Sequence, residues 1–322
     1  MSPRRALALM AAAAAAVLAL AACGAGGPAA RADGRLGVVA SFYPLQYLAE
    51  QIGGPHVAVT DLTSPGVEPH DLELSPRQVA SVGSAGLVVY LKGLQPAVDE
   101  AVRQSGARRV VEASSLTPLA DHHLDEGGDG AGGSGDRAAG AAAEPHAHAT
   151  GDPHVWLDPA RYAVLARGVG RGLAEADPAH AADYRRRTDR MVARLAALDA
   201  EFRTGLAPYR GRDFVTSHAA FGYLADRYGI RQVAVSGVDP ESEPSPARLA
   251  AIQRQARAHG VTTVFFETLS NPKLAATLAA DLHLRTAVLD PVEGVKDPSR
   301  DDYFSVQRQN LKNLETAFGG AR

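Results

Sequence analysis

Cysteine is nearly absent from this sequence, which has a single one, Cys23, in 322 residues. One thiol cannot form an intramolecular disulfide, and it cannot build a site with several thiolate ligands. Stability must therefore come from an ordinary apolar core, which a chain of this length can supply. Any metal in the folded part must be held by imidazole and carboxylate groups.

A basic stripe is also lacking. The formal net charge is -3 at pH 7, and lysine and arginine are not clustered in a way that indicates nucleic-acid binding. After the first apolar run, no second one reaches the length of about 20 residues that a membrane-spanning helix needs. We therefore expect a soluble folded part.

The N-terminus has the layout of a secretory signal. Arg4 and Arg5 precede an apolar run over 6–20, which ends in the small residues before Cys23. This order predicts a bacterial lipoprotein signal peptide over 1–22, with lipid attached at Cys23. The protein is then extracytoplasmic and anchored to the cell membrane. The alternative is an ordinary signal peptide cut elsewhere, with Cys23 removed.

Beyond the signal, the pattern predicts a two-lobed α/β protein. Residues 23–34 are mostly Gly, Ala and Pro, which is typical of a flexible tether. Short apolar runs alternate with helical segments over 35–177 and again over 208–322, and this predicts parallel sheets. A long helix over 178–207 joins the lobes. Residues 121–150 show no periodicity and are interpreted as a disordered loop.

Three of the eleven histidines and one aspartate lie at positions that favour ligand binding. His70, His154 and His218 lie in predicted loops, and Asp290 directly follows an apolar strand. Ligands of open parallel sheets bind beyond the carboxyl ends of strands, so a cleft between the lobes could gather all four. Three imidazoles and a carboxylate suit a borderline cation. The alternative for each histidine is a purely structural role.

Five motifs resemble those of the metal-specific solute-binding proteins of bacterial ABC importers, the zinc- and manganese-uptake family. They follow the family's order over nearly the whole chain from residue 36 on. The motifs are GVEPHD at 66–71, DPHVWLDP at 152–159, SHAAFGYL at 217–224, DPESEPS at 239–245 and LDPVEG at 289–294. The resemblance implies two (β/α) lobes joined by a rigid backbone helix, with the metal site in the cleft between them.

The resemblance also implies a ligand set. It assigns His70, His154 and His218 as metal ligands, and Asp290 matches the fourth, carboxylate position. Manganese members carry Glu where His218 stands, so three histidines favour zinc. Some zinc members use water or a nearby Glu as the fourth ligand instead.

Other residues are expected to support the site. A ligating histidine usually donates its second N–H to a carboxylate or carbonyl, and the candidates are Asp71, Asp152 and Glu267. Glu267 could instead cap the next helix or pair with Lys273. The loop histidines could collect zinc weakly, and zinc members often carry such a histidine-rich insert between the first two ligand motifs; the alternative is a solvated loop without a role. These histidines are His122, His123, His146 and His148.

The function expected from these features is capture of Zn²⁺ outside the membrane by a monomer and delivery to an ABC permease. No reaction is expected, and affinity should fall as the histidines protonate. One alternative is a manganese or iron carrier of the same family. A zinc hydrolase is a further alternative, although the sequence has no HExxH or GxSxG motif and no obvious base beyond Glu267.

Overall fold

The computed structural model describes residues 34–122, 151–269 and 273–320. This part of the chain contains two sheets of four parallel strands each. The first has the order β2-β1-β3-β4 and the second the order β6-β5-β7-β8. The strands are β1 Leu36–Ala40, β2 Val57–Asp61, β3 Leu87–Tyr90, β4 Val110–Glu112, β5 Asp213–Thr216, β6 Arg231–Ala234, β7 Thr263–Phe266 and β8 Arg285–Val288.

Helices separate the strands and join the lobes. Several begin with proline, whose fixed φ suits the first helical position, and Ser75 and Asp302 form capping boxes that satisfy the first free N–H groups. The helices are α1 Tyr43–Gly53, α2 Pro76–Ser84, α3 Pro96–Ser105, α4 Pro159–Ala176, α5 Ala181–Leu206, α6 Gly222–Tyr228, α7 Pro246–Ala258, α8 Lys273–Leu282 and α9 Tyr303–Gly319.

The connecting helix α5 has 26 residues, which corresponds to about 39 Å. Its buried side chains recur every three or four positions, so one stripe faces the protein along its whole length. They are Tyr184, Thr188, Met191, Leu195, Leu198, Phe202 and Leu206. The predicted helix began at residue 178, but Pro178–His180 forms a short 3-10 turn before the regular helix.

A continuous apolar core crosses from one lobe to the other. It includes Phe42 and Trp156 of the first lobe and Phe214 and Tyr303 of the second. In both sheets the strand order reverses direction next to the first strand of the lobe, β1 or β5. Such switch points, at the carboxyl ends of the strands, are where open α/β sheets bind ligands.

The predicted fold of two parallel-sheet α/β lobes is confirmed. Among the helices of the described ranges, none combines the length and apolar character needed to cross a membrane.

Candidate metal centre

Four side chains from the two lobes converge in the cleft. His70 and His154 come from the first lobe, and His218 and Glu293 from the second. Each offers one ligand atom, and these four atoms all lie within 4.8 Å of one another. His154, His218 and Glu293 are fully buried, whereas His70 keeps 10% of its side chain exposed. The cluster therefore opens to solvent on the His70 side.

All three histidines lie in connections, outside the strands and α-helices. His70 lies in the connection between β2 and α2, and His218 follows β5 by two residues. His154 precedes the 3-10 turn Val155–Leu157. The next residue, Asp158, accepts the first N–H groups of α4 and so fixes where that helix begins.

The carboxylate of Glu293 lies at the centre of the three imidazoles. Its Oε1 atom is 3.3 Å from Nε2 of His70, 3.0 Å from Nε2 of His154 and 3.6 Å from Nε2 of His218. The Nε2 atoms of His154 and His218 are 3.3 Å apart. Among the described residues, no hydrogen-bond partner contacts the buried Oε2 of Glu293. Three imidazole nitrogens and a carboxylate oxygen aimed at one point form a set that fits a tetrahedral zinc ion.

Buried carboxylates orient two of the imidazoles from behind. Asp152 lies 2.7 Å from Nδ1 of His154 and also accepts the backbone N–H of that histidine at 2.9 Å. Glu267 lies 2.6 Å from Nδ1 of His218 and accepts its backbone N–H at 3.1 Å. Each carboxylate accepts a hydrogen bond from Nδ1–H, so each Nε2 points into the cluster, as in metal sites with carboxylate-supported histidines.

Burial and neighbouring charges act in opposite directions on the pKa values of the cluster. Burial alone lowers the pKa of a histidine, but Asp152 and Glu293 reverse this for His154 and raise its pKa. Glu267 and Glu293 likewise raise the pKa of His218 well above its usual value, although burial opposes them. Burial raises the pKa of Glu293, but the surrounding imidazoles hold it well below its usual range. The site thus attracts positive charge, whether as protons or as a cation.

The structure brings Glu293, and not the predicted Asp290, into the cluster. Asp290 instead accepts hydrogen bonds from the Thr268 hydroxyl, in the connection after β7, at 2.5 Å and from the Val292 N–H of its own loop at 2.7 Å. Val292 has a φ of 57°, and this turn directs the next residue, Glu293, into the cleft. Glu293 belongs to the same LDPVEG motif as Asp290, so the motif indicated this loop but not which of its two carboxylates enters the cluster.

The remaining predicted residues have different positions. Asp71 is exposed and is not among the carboxylates that contact the three imidazoles, which in the described residues are Asp152, Glu267 and Glu293. Glu68, which the sequence analysis did not single out, accepts the backbone N–H of His70 at 3.3 Å. Of the loop histidines, only His122 is described; the other three, and also Cys23, lie outside the described residues.

A model of the protein family described as "Zinc-uptake complex component A periplasmic" matches residues 38–317. The high-affinity zinc uptake system protein ZnuA of Bacillus subtilis is 32% identical over 306 residues, which cover 92% of each chain. The zinc-binding protein AdcA of Streptococcus pyogenes is 31% identical over 294 residues, which cover 88% of this chain and 56% of AdcA. The chain thus spans just over half the length of these streptococcal relatives.

Solved structures show the same fold. The laminin-binding protein of Streptococcus agalactiae, described as an adhesin with metal-transporting activity, superimposes with a TM-score of 0.74 at 28% identity, covering 88% of this chain and 99% of that one. The Zn(II)-bound ZnuA-like domain of Streptococcus pneumoniae AdcA gives 0.70 at 29% identity, with the same coverage. The chain belongs to the family of the periplasmic component A of zinc-uptake complexes.

Proposed function

We propose that this protein captures Zn²⁺ between its lobes and delivers it to an ABC-type permease. The ligands we propose are His70, His154, His218 and Glu293. The observation that carries the proposal is their convergence from four separate chain segments, with all four ligand atoms within 4.8 Å of one another. Names of relatives that refer to zinc binding and zinc uptake support it.

The donor set favours zinc over manganese and iron. Three imidazoles and a single carboxylate suit a borderline cation, while harder manganese prefers more oxygen ligands. Tetrahedral coordination also needs four protein ligands and no more. In the cleft, the Glu267 carboxylate contacts Nδ1 of His218, so its charge supports this imidazole without adding a fifth ligand to the set.

The same geometry supports binding without a reaction. A catalytic zinc site has three protein ligands and an open position for water. With Glu293 in the fourth position, and three of the four side chains fully buried, a zinc ion here would have no room for an activated water. The site therefore supports a zinc carrier better than a zinc hydrolase.

Export and tethering complete the proposal. We infer that residues 1–22 are removed, that lipid at Cys23 anchors the chain to the membrane, and that 23–34 form a tether to lobes over 35–177 and 208–322. The helix over 178–207 and the core shared by both lobes favour a small opening motion. Release would then come from contact with the permease.

The direct test is metal analysis of the purified mature protein, followed by competition between zinc and manganese against a chelator of known affinity. We expect one tightly bound zinc per chain and a clear preference for zinc. His70→Ala and His154→Ala should each lose most of the affinity, and His180→Ala, a histidine outside the cleft, should not. If His70→Ala and His154→Ala both bound zinc as tightly as the parent, the ligand assignment would be wrong.

A further inference from the structure

His122 is the last described residue before the segment 123–150. Its Nδ1 atom is 2.6 Å from Oδ2 of Asp152, and its Nε2 atom is 3.0 Å from Oδ2 of Asp226 on α6. Only 16% of the His122 side chain is exposed. One imidazole thus joins a buried carboxylate of the first lobe to a surface carboxylate of the second.

The surroundings of His122 hold it in this place. The ring packs edge-on against Tyr223, with centroids 4.7 Å apart. The Tyr223 hydroxyl accepts the N–H of Ala120 at 2.8 Å and donates to the carbonyl of Asp152 at 2.7 Å. A Cβ atom on Gly222 would collide with the imidazole. Glycine at 222 therefore leaves the space that the ring fills.

Asp152 has two carboxylate oxygens with different partners. Oδ1 receives the backbone N–H and Nδ1 of His154, and Oδ2 faces His122. The side chain is fully buried, so loss of the His122 contact would leave Oδ2 without a partner away from water, which is costly. The carboxylate would then rotate or admit water, and its hold on His154 would weaken.

We propose that His122 is a positioning residue for the metal centre, acting through Asp152 on His154. The proposal rests on the proposed function, because it assigns His122 a part in zinc binding at that same site. A carboxylate that orients a ligating histidine changes metal affinity by about 10- to 100-fold when it is mutated, and His122 acts one contact further out, through that carboxylate. His122 therefore contributes to affinity without touching the ion.

This role differs from that of an accessory zinc ligand. Both ring nitrogens of His122 already face carboxylates, so neither is directed towards an ion. Removal of His122 should leave the number of tightly bound zinc ions unchanged and lower the affinity of the one in the cleft. An accessory ligand would show the opposite pattern.

Three substitutions separate the two contacts of His122. His122→Asn places an amide N–H near the position of Nδ1 and can still donate to Asp152. His122→Gln places its amide near Nε2 and reaches Asp226 instead, and His122→Ala removes both contacts. Asp226→Asn is the matched control, since it alters only the exposed partner. Each mature protein is titrated with zinc against a chelator and with Co²⁺ as a spectroscopic probe of ligand geometry.

We expect zinc affinity to fall about 10-fold in His122→Ala and His122→Gln, the lower end of the range for loss of the carboxylate itself, with an altered Co²⁺ absorption spectrum and unchanged stoichiometry. His122→Asn should recover most of the affinity and the parental spectrum, and Asp226→Asn should differ little from the parent. Parental affinity in His122→Ala, equal losses in all three variants, or loss of one zinc equivalent would each overturn the positioning role.

His154→Ala distinguishes this result from failure of the proposed function. If His154→Ala loses zinc while His122→Ala matches the parent, only the positioning role fails. If the parent itself does not bind zinc, the proposed function fails. Urea unfolding of each metal-free variant shows whether it is folded. If His122→Ala does not fold, the comparison of His122→Asn with His122→Gln still tests the positioning role.

Discussion

The indole of Trp156 donates a hydrogen bond from Nε1 to the carbonyl of Pro291 at 2.7 Å. Trp156 follows His154 by two residues, and Pro291 precedes Glu293 by two. One buried hydrogen bond thus connects the loop that contains Glu293 to the segment that contains His154. The indole also packs edge-on against Phe42, with centroids 4.9 Å apart.

Trp156→Phe should weaken zinc binding as well as stability. Phenylalanine retains most of the packing but leaves the Pro291 carbonyl without its donor, a cost of about 1–3 kcal/mol. The Glu293 loop is then less firmly placed, and we expect zinc affinity to fall roughly 10-fold. Urea unfolding and zinc competition measure the two effects. Phe202→Leu, a core change away from the cleft, should lower stability alone; equal zinc loss in both variants would contradict this account.

Glu267→Gln tests the support behind His218. The carboxylate accepts from Nδ1 and the backbone N–H of His218 and from the Ser217 hydroxyl, and a neutral amide is a weaker acceptor. We expect zinc affinity to fall about 10- to 100-fold without loss of stoichiometry. A chelator titration measures this, with the exposed Glu73→Gln as control. Parental affinity in Glu267→Gln would show that the carboxylate does not support the ligand.

Gly170→Ala tests the close approach of α4 and α5. A Cβ atom at Gly170 would collide with the Thr188 hydroxyl, which donates to the carbonyl of Tyr184 at 2.8 Å. Overpacking of this kind costs about 1–3 kcal/mol. The midpoint of urea unfolding should fall, and Gly170→Ala combined with Thr188→Ala should recover part of the loss. An unchanged midpoint in Gly170→Ala would mean that α4 and α5 can move apart to fit the methyl group without loss of stability.

Asp61 gives stability a pH dependence away from the cleft. Burial raises the pKa of its carboxyl from 3.8 to about 7, with hydrogen bonds from Thr63 and Leu62 opposing the shift. The folded state therefore binds more protons than the unfolded state between about pH 4 and 7, so stability falls as pH rises through this window and is lowest above it.

Asp61→Asn should remove this loss. The variant should match the parent below about pH 4 and exceed it by about 2 kcal/mol at pH 8, a value reduced for the partial solvent contact of the side chain. The Asn oxygen can still accept the Thr63 N–H. Urea unfolding at pH 4, 6 and 8 measures the difference. A gap of the same size at all three values would rule out titration of Asp61 as its cause.

The fold was predictable because its signals are local. Apolar strands alternate with helical segments, and proline at helix starts marks several of the boundaries, so the two-lobe architecture follows from the pattern. Strand ends are less predictable. The β-prone stretch that contains β7 starts at Val261, but the strand begins at Thr263, because propensity does not define where the ladder of hydrogen bonds starts.

The candidate site was harder to predict where the backbone turns. His218 follows β5 by two residues, so its place in the cleft could be expected from parallel-sheet geometry, whereas His70 and His154 lie in connections and were assigned through their motifs. The choice between Asp290 and Glu293 depends on the positive φ of Val292, and a β-branched residue gives no sequence signal for that conformation. The pairing of His122 with Asp152 spans 30 residues, most of them outside the described ranges, and no local pattern encodes it.

The central claim is that Glu293, with three histidines, binds the zinc ion. The most direct measurement is zinc affinity by chelator competition for Glu293→Gln and Asp290→Asn side by side. We predict a loss on the order of 100-fold or more for Glu293→Gln and a change within about 3-fold for Asp290→Asn, since the latter keeps an oxygen for the Val292 N–H. A larger loss in Asp290→Asn than in Glu293→Gln would contradict the account.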